Sequence, residues 1–272
     1  MKKFLGFATV VLGAVSLVAN LVGAQNKVVI EGSTTVLPIA QKAAEVFMQK
    51  NSGINLSVRG GGSGVGIASL LDKTCQIANS SRPIRGTELE KGLANGVNVK
   101  TNIVAMDGIV PIVHKNNSLS NITKDQLKAI YTGKISNWSQ LGGPDSKIVV
   151  VSRDSSSGTF EAWGTLVLDT QRVRKDALMQ ASNQAVASTV AKTPGGIGYV
   201  GLGFLSDEVK ALTVNGVAGN KQTVLSGKFP VNRPLYMYTD GEPKGTVKQF
   251  IDFILSVEGQ KLVEEVGYVA LK

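Results

Sequence analysis

The sequence predicts an α/β protein built on largely parallel sheets. Short β-rich runs alternate with helical patterns almost from end to end, the signature of strand–helix–strand units. Near-continuous apolar runs over 109–113 and 148–151 read as strands buried on both faces and place a second sheet beside the first. Hydrophobic residues make up 43% of the chain, enough for ordinary cores in one large domain or two small ones.

Taken in order, Val28-Val29-Ile30 form the first strand. Residues 36–50 follow as a helix with Leu37, Ala40, Ala44, Phe47 and Met48 on its inward face. Leu56 and Val58 alternate as a second strand, then come a helix over 64–72 and a strand near Ile77. The next helix opens with the capping box Thr87-Glu88-Leu89-Glu90. Another box, Thr123-Lys124-Asp125-Gln126, starts a helix carrying Leu127, Ile130 and Tyr131. At the far end Val247, Phe250, Ile251, Ile254 and Leu255 hold helical spacing after Pro243 as the final helix. No repeat, low-complexity tract or Pro/Ser linker interrupts this order, so two domains would be joined by interior strands rather than by a tether.

The chain opens Met1-Lys2-Lys3, continues with an apolar run over 4–22 and reaches Val22-Gly23-Ala24 before polar Gln25-Asn26. That is the pattern of a secretory signal peptide, residues 1–24, and its basic start and small-residue end favour cleavage over a membrane-spanning role. With no lipid-anchor Cys after it, the mature chain is expected free in a periplasm-like space. Cys75 is the only Cys, so no intramolecular disulfide forms there and stability rests on packing. Formal charge is +9, and loss of Lys2 and Lys3 leaves +7, a surplus that attracts anions in general. Aromatics at 6% and the lack of a Lys/Arg run count against a nucleic-acid surface.

One feature recurs three times: a strand, a Gly/Ser/Thr-rich loop, then a helix. The loops are Gly32-Ser33-Thr34-Thr35-Val36-Leu37-Pro38, Gly60-Gly61-Gly62-Ser63-Gly64-Val65-Gly66 and Arg153-Asp154-Ser155-Ser156-Ser157-Gly158-Thr159. Each presents free N–H groups and hydroxyl donors where the helix dipole is positive, which is a turn suited to an anion. Singly, each is also an ordinary way to begin a helix. Arg153 adds a guanidinium fork able to bind two oxygens of a tetrahedral anion; its alternative is a surface salt bridge to Asp154 or Glu161. No P-loop pattern occurs, and the spacing in Gly60 to Gly66 never completes Gly-x-Gly-x-x-Gly, which sets nucleotide binding at these loops aside.

Enzyme readings lack parts. The single histidine, His114, sits at a strand end and cannot supply a multi-histidine metal site. Cys75 has no neighbour in sequence that would lower its pKa, and no Gly-x-Ser-x-Gly elbow occurs. The chain is expected to be a binder that needs no cofactor or metal, with a phosphatase as the enzyme alternative.

These residues resemble the periplasmic phosphate-binding proteins of ABC phosphate uptake systems, in a short-chain form. The resemblance runs from Gly32-Ser33-Thr34-Thr35 through Gly62-Ser63-Gly64, Asn79-Ser80-Ser81-Arg82-Pro83, the Arg153 to Thr159 loop, Thr193-Pro194-Gly195-Gly196-Ile197-Gly198-Tyr199 and Ser256-Val257-Glu258-Gly259-Gln260. It implies a type II binding-protein fold: lobe 1 over 25–105 plus 236–272, lobe 2 over 106–235, joined by crossings near 103–106 and 233–238. By the same resemblance, Ser33, Thr34, Thr35, Ser63 and Ser81 of one lobe and Arg153, Ser157, Gly158 and Thr159 of the other enclose inorganic phosphate. The partners implied are permease subunits of an ABC transporter, with the binding protein itself a monomer.

Longer members of that family carry an Asp two residues before the Pro of the Ser-Arg-Pro region, where it accepts the proton of hydrogen phosphate; here Ser81 stands there. Asp107 in Ala105-Met106-Asp107-Gly108 is the candidate replacement, its alternative being a turn-forming Asp before Gly. Arg82 is expected to pair with an acid and hold its loop. Another oxyanion, sulfate or molybdate, is the rival ligand, and a phosphate-binding adhesion or signalling protein is the rival role.

Overall fold

A computed structural model describes residues 27–271; the signal-peptide expectation over 1–24 lies outside them. Strand β1 (Lys27–Gly32), helix α1 (Leu37–Lys50), β2 (Asn55–Gly60), α2 (Ser63–Leu71), β3 (Ile77–Ser80) and α3 (Gly86–Ala94) form the first series. β1 pairs in parallel with both β2 and β3, so α1 is the crossover between the neighbours β1 and β2, and α2 carries the chain from β2 past β1 to β3. Then β4 (Val99–His114) runs for 16 residues, a length of about 50 Å at ~3.3 Å per residue, and leaves the first half for the second.

The second half contains β5 (Asn121–Ile122), α4 (Lys124–Tyr131), β6 (Val149–Arg153), α5 (Gly158–Leu166), β7 (Leu178–Gln180) and α6 (Asn183–Ala191). It continues with β8 (Gly196–Gly201), β9 (Val209–Ala211), β10 (Thr213–Val214) and α7 (Lys221–Leu225). β11 (Asn232–Asp240) then returns antiparallel to β4, and α8 (Gly245–Leu255) and α9 (Val257–Glu265) close the chain on the first half. The main sheet reads β2-β1-β3-β11-β4-β8-β6-β7, with β9 also on β4. Its outer strands are parallel, as predicted; its centre, where β4 and β11 cross, is antiparallel.

The apolar residues divide at the same place. One core gathers Val28, Ile30, Phe47, Ile77, Val104 and Ala105 with Leu235, Met237, Phe250 and Ile254. The other gathers Ile109, Val110, Ile130, Trp138, Val150, Trp163, Tyr199 and Val231. The β4–β11 register slips between Leu235/Tyr236 and Ala105/Ile103, a bulge that lets the paired strands bend between the cores. The type II two-lobed α/β fold is therefore what these residues build.

Three local expectations change. α3 starts two residues early: Arg85 is its N-cap, and Glu88 rather than Glu90 accepts the cap N–H at 2.9 Å. α1 buries Ile39 and Ala43 as well as Ala40, Ala44 and Phe47, while Leu37 and Met48 are only half-buried. α8 is not the last helix: Ser256 ends it and caps α9 by accepting from the Gly259 N–H.

Candidate functional site

The three glycine- and hydroxyl-rich helix starts meet at the junction of the halves. At the start of α1, Gly32 adopts φ +136°, and a Cβ there would lie 2.2 Å from the Asn79 carbonyl oxygen. That close approach lets the Ser33 N–H donate to Asn79 O at 2.9 Å. Ser33 Oγ then accepts from the Thr35 N–H (3.1 Å) and the Val36 N–H (3.4 Å), and the chain turns so that the Thr34 and Thr35 hydroxyls face the other half.

At α2, Gly62 adopts φ +99° directly against Ser156 of the other half. The Gly64 N–H donates to Ser156 O (2.9 Å) and Ser156 Oγ donates to Gly61 O (3.0 Å), so these two helix-start loops are bonded backbone to backbone. Ser63 Oγ accepts from the Ser81 N–H at 3.0 Å. At α5, Ser157 caps the helix by accepting from the Phe160 N–H (3.2 Å). Gly158 leaves no room for a side chain, since a Cβ would fall 2.2 Å from Ser63 Oγ. Trp163 of α5 stacks on Tyr199 of β8 at 4.3 Å, and the Tyr199 hydroxyl bonds Ser152 Oγ (2.9 Å) beside Arg153, which fixes helix and guanidinium together.

The predicted residues thus converge. Thr35 Oγ1 and Thr159 Oγ1 are 2.8 Å apart across the junction, and Ser81 Oγ lies 3.5 Å from Thr159 Oγ1 and 3.4 Å from Ser63 Oγ. Arg153 is buried at 1% exposure and not in a surface salt bridge. It donates through Nε to Gln180 O (3.0 Å) and through Nη2 to Ala181 O (3.0 Å) and Thr34 Oγ1 (3.2 Å), while Nη1 is buried with no partner in the protein. Burial lowers the Arg153 pKa from its usual range, and the neighbouring Arg233 cation pushes the same way. Ser33 and Ser157 stand at the site with their oxygens committed to capping, each keeping its hydroxyl proton to donate.

Asp107 is placed differently from the free acceptor expected of it. Oδ2 accepts from Arg233 Nε (3.1 Å) and Nη2 (2.9 Å), Oδ1 accepts from the Leu202 N–H (3.0 Å), and the Gly108 N–H bonds it as well. These donors fill the roughly four acceptor positions of a carboxylate. Complete burial raises the Asp107 pKa, with Arg233 and the two amides opposing. Arg82 behaves as expected: it forks onto Glu88 at 2.8 and 2.7 Å, and its Nε is 2.9 Å from Glu161 Oε1 of α5.

Two site residues escaped the sequence reading. Arg233 sits on β11, inside a segment identified only as a crossing, and a charged residue in an interior strand was the available signal. Its Nη1 donates to Ser81 O (3.0 Å) and its Nη2 to Thr159 Oγ1 (3.0 Å). Asn183, at the start of α6, donates to Thr35 Oγ1 (3.0 Å) and Thr34 Oγ1 (3.3 Å), and nothing local in the sequence marks it. Among the described residues no group of three or more His, Cys, Asp or Glu side chains is placed to hold a metal.

Comparisons with known proteins agree with this geometry. A family model described as a PBP superfamily domain matches residues 21–258. The phosphate-binding protein PstS of Bacillus subtilis is 35% identical over 251 residues, covering 90% of this chain and 81% of that protein. The phosphate-binding protein PstS of Borreliella burgdorferi is 34% identical over 271 residues, covering 94% and 95%. A crystal structure of a putative phosphate ABC transporter substrate-binding protein with bound phosphate from Clostridium perfringens superposes with a TM-score of 0.85 at 35% identity, covering 91% of this chain and 100% of that one. The chain belongs to the PBP superfamily and, within it, to the family of PstS phosphate-binding proteins.

Proposed function

We propose that this chain is an exported solute-binding protein that captures inorganic phosphate and hands it to the permease subunits of an ABC importer. Lobe 1 spans 25–105 plus 236–272, lobe 2 spans 106–235, and the anion sits between them. The observation that carries the reading is the Arg153 Nη1 group, buried and unpartnered beside three converging helix starts. A buried donor left unpaired costs about 1–3 kcal/mol, more when charged, so the position calls for an anionic oxygen. Arg153, the free amides of α5 around Gly158 and Thr159, and the hydroxyls of Ser33, Thr34, Thr35, Ser63, Ser81, Ser157 and Thr159 supply the donors. Bending at the β4–β11 bulge opens and closes the shell, and closure removes the water that would weaken each bond. The protein's task is binding and delivery, with no bond made or broken.

The proton of hydrogen phosphate needs an acceptor, and Asp107 is filled. Ser81 Oγ is approached only by other hydroxyls, at 3.4 and 3.5 Å, and takes that role in this reading. The filled carboxylate is also the observation that favours a second reading, a sulfate or molybdate binder, since those anions bring no proton to accept. Calorimetric titration with phosphate, sulfate and molybdate across pH 5 to 8 decides. Phosphate bound at least ~100-fold more tightly than sulfate supports the first reading; equal affinities sink it.

A further inference from the structure

We infer that Arg233 and Asn183 are positioning residues that fill the accepting lone pairs of Thr35 and Thr159, so that this hydroxyl pair can only donate into the cleft. The inference rests on the phosphate reading above and adds what sets the polarity of the shell. Two hydroxyls carry two protons and four lone pairs. Thr35 Oγ1 and Thr159 Oγ1, 2.8 Å apart, use one of each on one another. Asn183 Nδ2 approaches Thr35 Oγ1 at 3.0 Å, and one Arg233 Nη2 hydrogen is shared between Thr159 Oγ1 at 3.0 Å and Thr35 Oγ1 at 3.4 Å. Both arms of that shared hydrogen and the Asn183 N–H all find lone pairs only when Thr35 donates to Thr159; in the reverse sense the Arg233 contact to Thr35 is lost. The Thr159 proton is then left over for the ligand, with Thr35 acting through it; the Ser81 oxygen, 3.5 Å away, is the protein acceptor nearest to it and is a long contact.

Neither donor can reverse. A guanidinium accepts nothing, and Arg233 is held on its remaining edges by Asp107 Oδ2 and by Ser81 O. The Asn183 amide is oriented by the Gly201 N–H, which donates to Oδ1 at 3.2 Å and leaves Nδ2 facing the threonines. Asp107 acts through Arg233, and Arg233 spans both halves, touching Thr35 and Ser81 on one side and Thr159 on the other. The donor-only face is therefore completed only when the halves meet.

The test titrates inorganic phosphate into wild type and four variants and records the ligand-free Tm of each. Asn183→Asp is nearly isosteric and puts an acceptor where the donor was; about 100-fold loss of affinity is expected. Asn183→Leu removes the donor without adding charge and is expected to lose about 3- to 10-fold. Asp107→Asn/Arg233→Met removes the ion pair as a pair, which avoids stranding a buried charge, and is expected to lose at least ~10-fold. Arg233→Lys keeps a cation for Asp107 and N–H donors, and is expected to recover part of that loss. If the folded Asn183 variants and the double variant all bind phosphate within about threefold of wild type, the positioning role is refuted while the phosphate reading stands. If wild type binds no phosphate, the functional reading itself falls and this inference with it.

Discussion

A single methyl group at position 158 should separate ligand binding from folding. Gly158 lies in the first turn of α5 outside the positive-φ region, so alanine fits its backbone. Relative to glycine, alanine favours a helix by up to ~1 kcal/mol. The obstacle is across the cleft: the added Cβ would stand 2.2 Å from Ser63 Oγ, 2.8 Å from Ser63 Cβ and 2.9 Å from Ser81 Oγ. Ser63 Oγ could rotate away, but its Cβ cannot without moving α2. Overpacking of this kind costs about 1–3 kcal/mol, and because both clashing residues belong to the other half, the whole cost falls on the closed form. That corresponds to roughly 5- to 150-fold weaker phosphate binding in Gly158→Ala. Gly164→Ala, in the same helix with nothing within 4 Å of its new Cβ, is the control and should bind as wild type does. Calorimetry gives the affinities and ligand-free thermal unfolding gives the stabilities. A Gly158→Ala protein that keeps wild-type affinity, or that loses ligand-free Tm by as much as it loses binding, would refute the convergence of α5 on Ser63 and Ser81.

Arg153→Lys should weaken phosphate binding by about tenfold or more, because an ammonium cannot hold Gln180 O, Ala181 O and Thr34 Oγ1 and still present a second nitrogen to the ligand; titration at matched ionic strength checks it, and undiminished affinity would remove Arg153 from the shell. For Glu88, burial raises the pKa but the Arg82 fork outweighs it, and the folded-state pKa lies below the ordinary value. Its contribution to stability is therefore complete above the usual glutamate range and is lost as pH falls through the depressed folded value. Urea unfolding of Glu88→Gln should accordingly differ from wild type at pH 7 and converge with it in strong acid; a constant difference would contradict the assignment. Cys75, buried with its pKa pushed up to about 12 chiefly by desolvation, should resist thiol reagents in the folded protein at pH 8 and react on unfolding. Rapid labelling of the native protein would show that the pocket around it opens.

What the sequence disclosed was local, and what it concealed was long-range. The strand–loop–helix starts carry their geometry in adjacent residues: Gly32 and Gly62 at positive φ, and Ser157 as a cap. Arg153 could be placed at the site, but not buried, because its partners Gln180 and Ala181 lie on β7 and the turn after it. Asp107 was legible as unusual and not as saturated, since Arg233 is 126 residues away. The shift of the α3 cap has the same cause. Glu88 serves Arg82 as well as the Arg85 N–H, and that fork fixes the helix start two residues before the local pattern. The second C-terminal helix hides behind Val257, exposed at 78%, and Gly259, whose missing side chain makes room for the Phe253 carbonyl.

The arrangement also explains why closing can serve as a signal. When the halves meet, Arg153 and Arg233 are shut into one water-poor shell, and Asp107 balances only one of them. Helix starts add partial positive charge from three directions. An uncompensated buried charge costs about 3–5 kcal/mol, so an anion shifts the open–closed balance by roughly 150- to 5,000-fold relative to a neutral guest of the same size. A cation would make matters worse. The atoms proposed to select the guest, Thr35 and Thr34 on one side and Thr159 and Arg153 on the other, are bonded to each other across the junction. In the proposed function recognition and closure would therefore be one event, and a membrane partner that reads the spacing of the two lobes would read whether an anion has been caught.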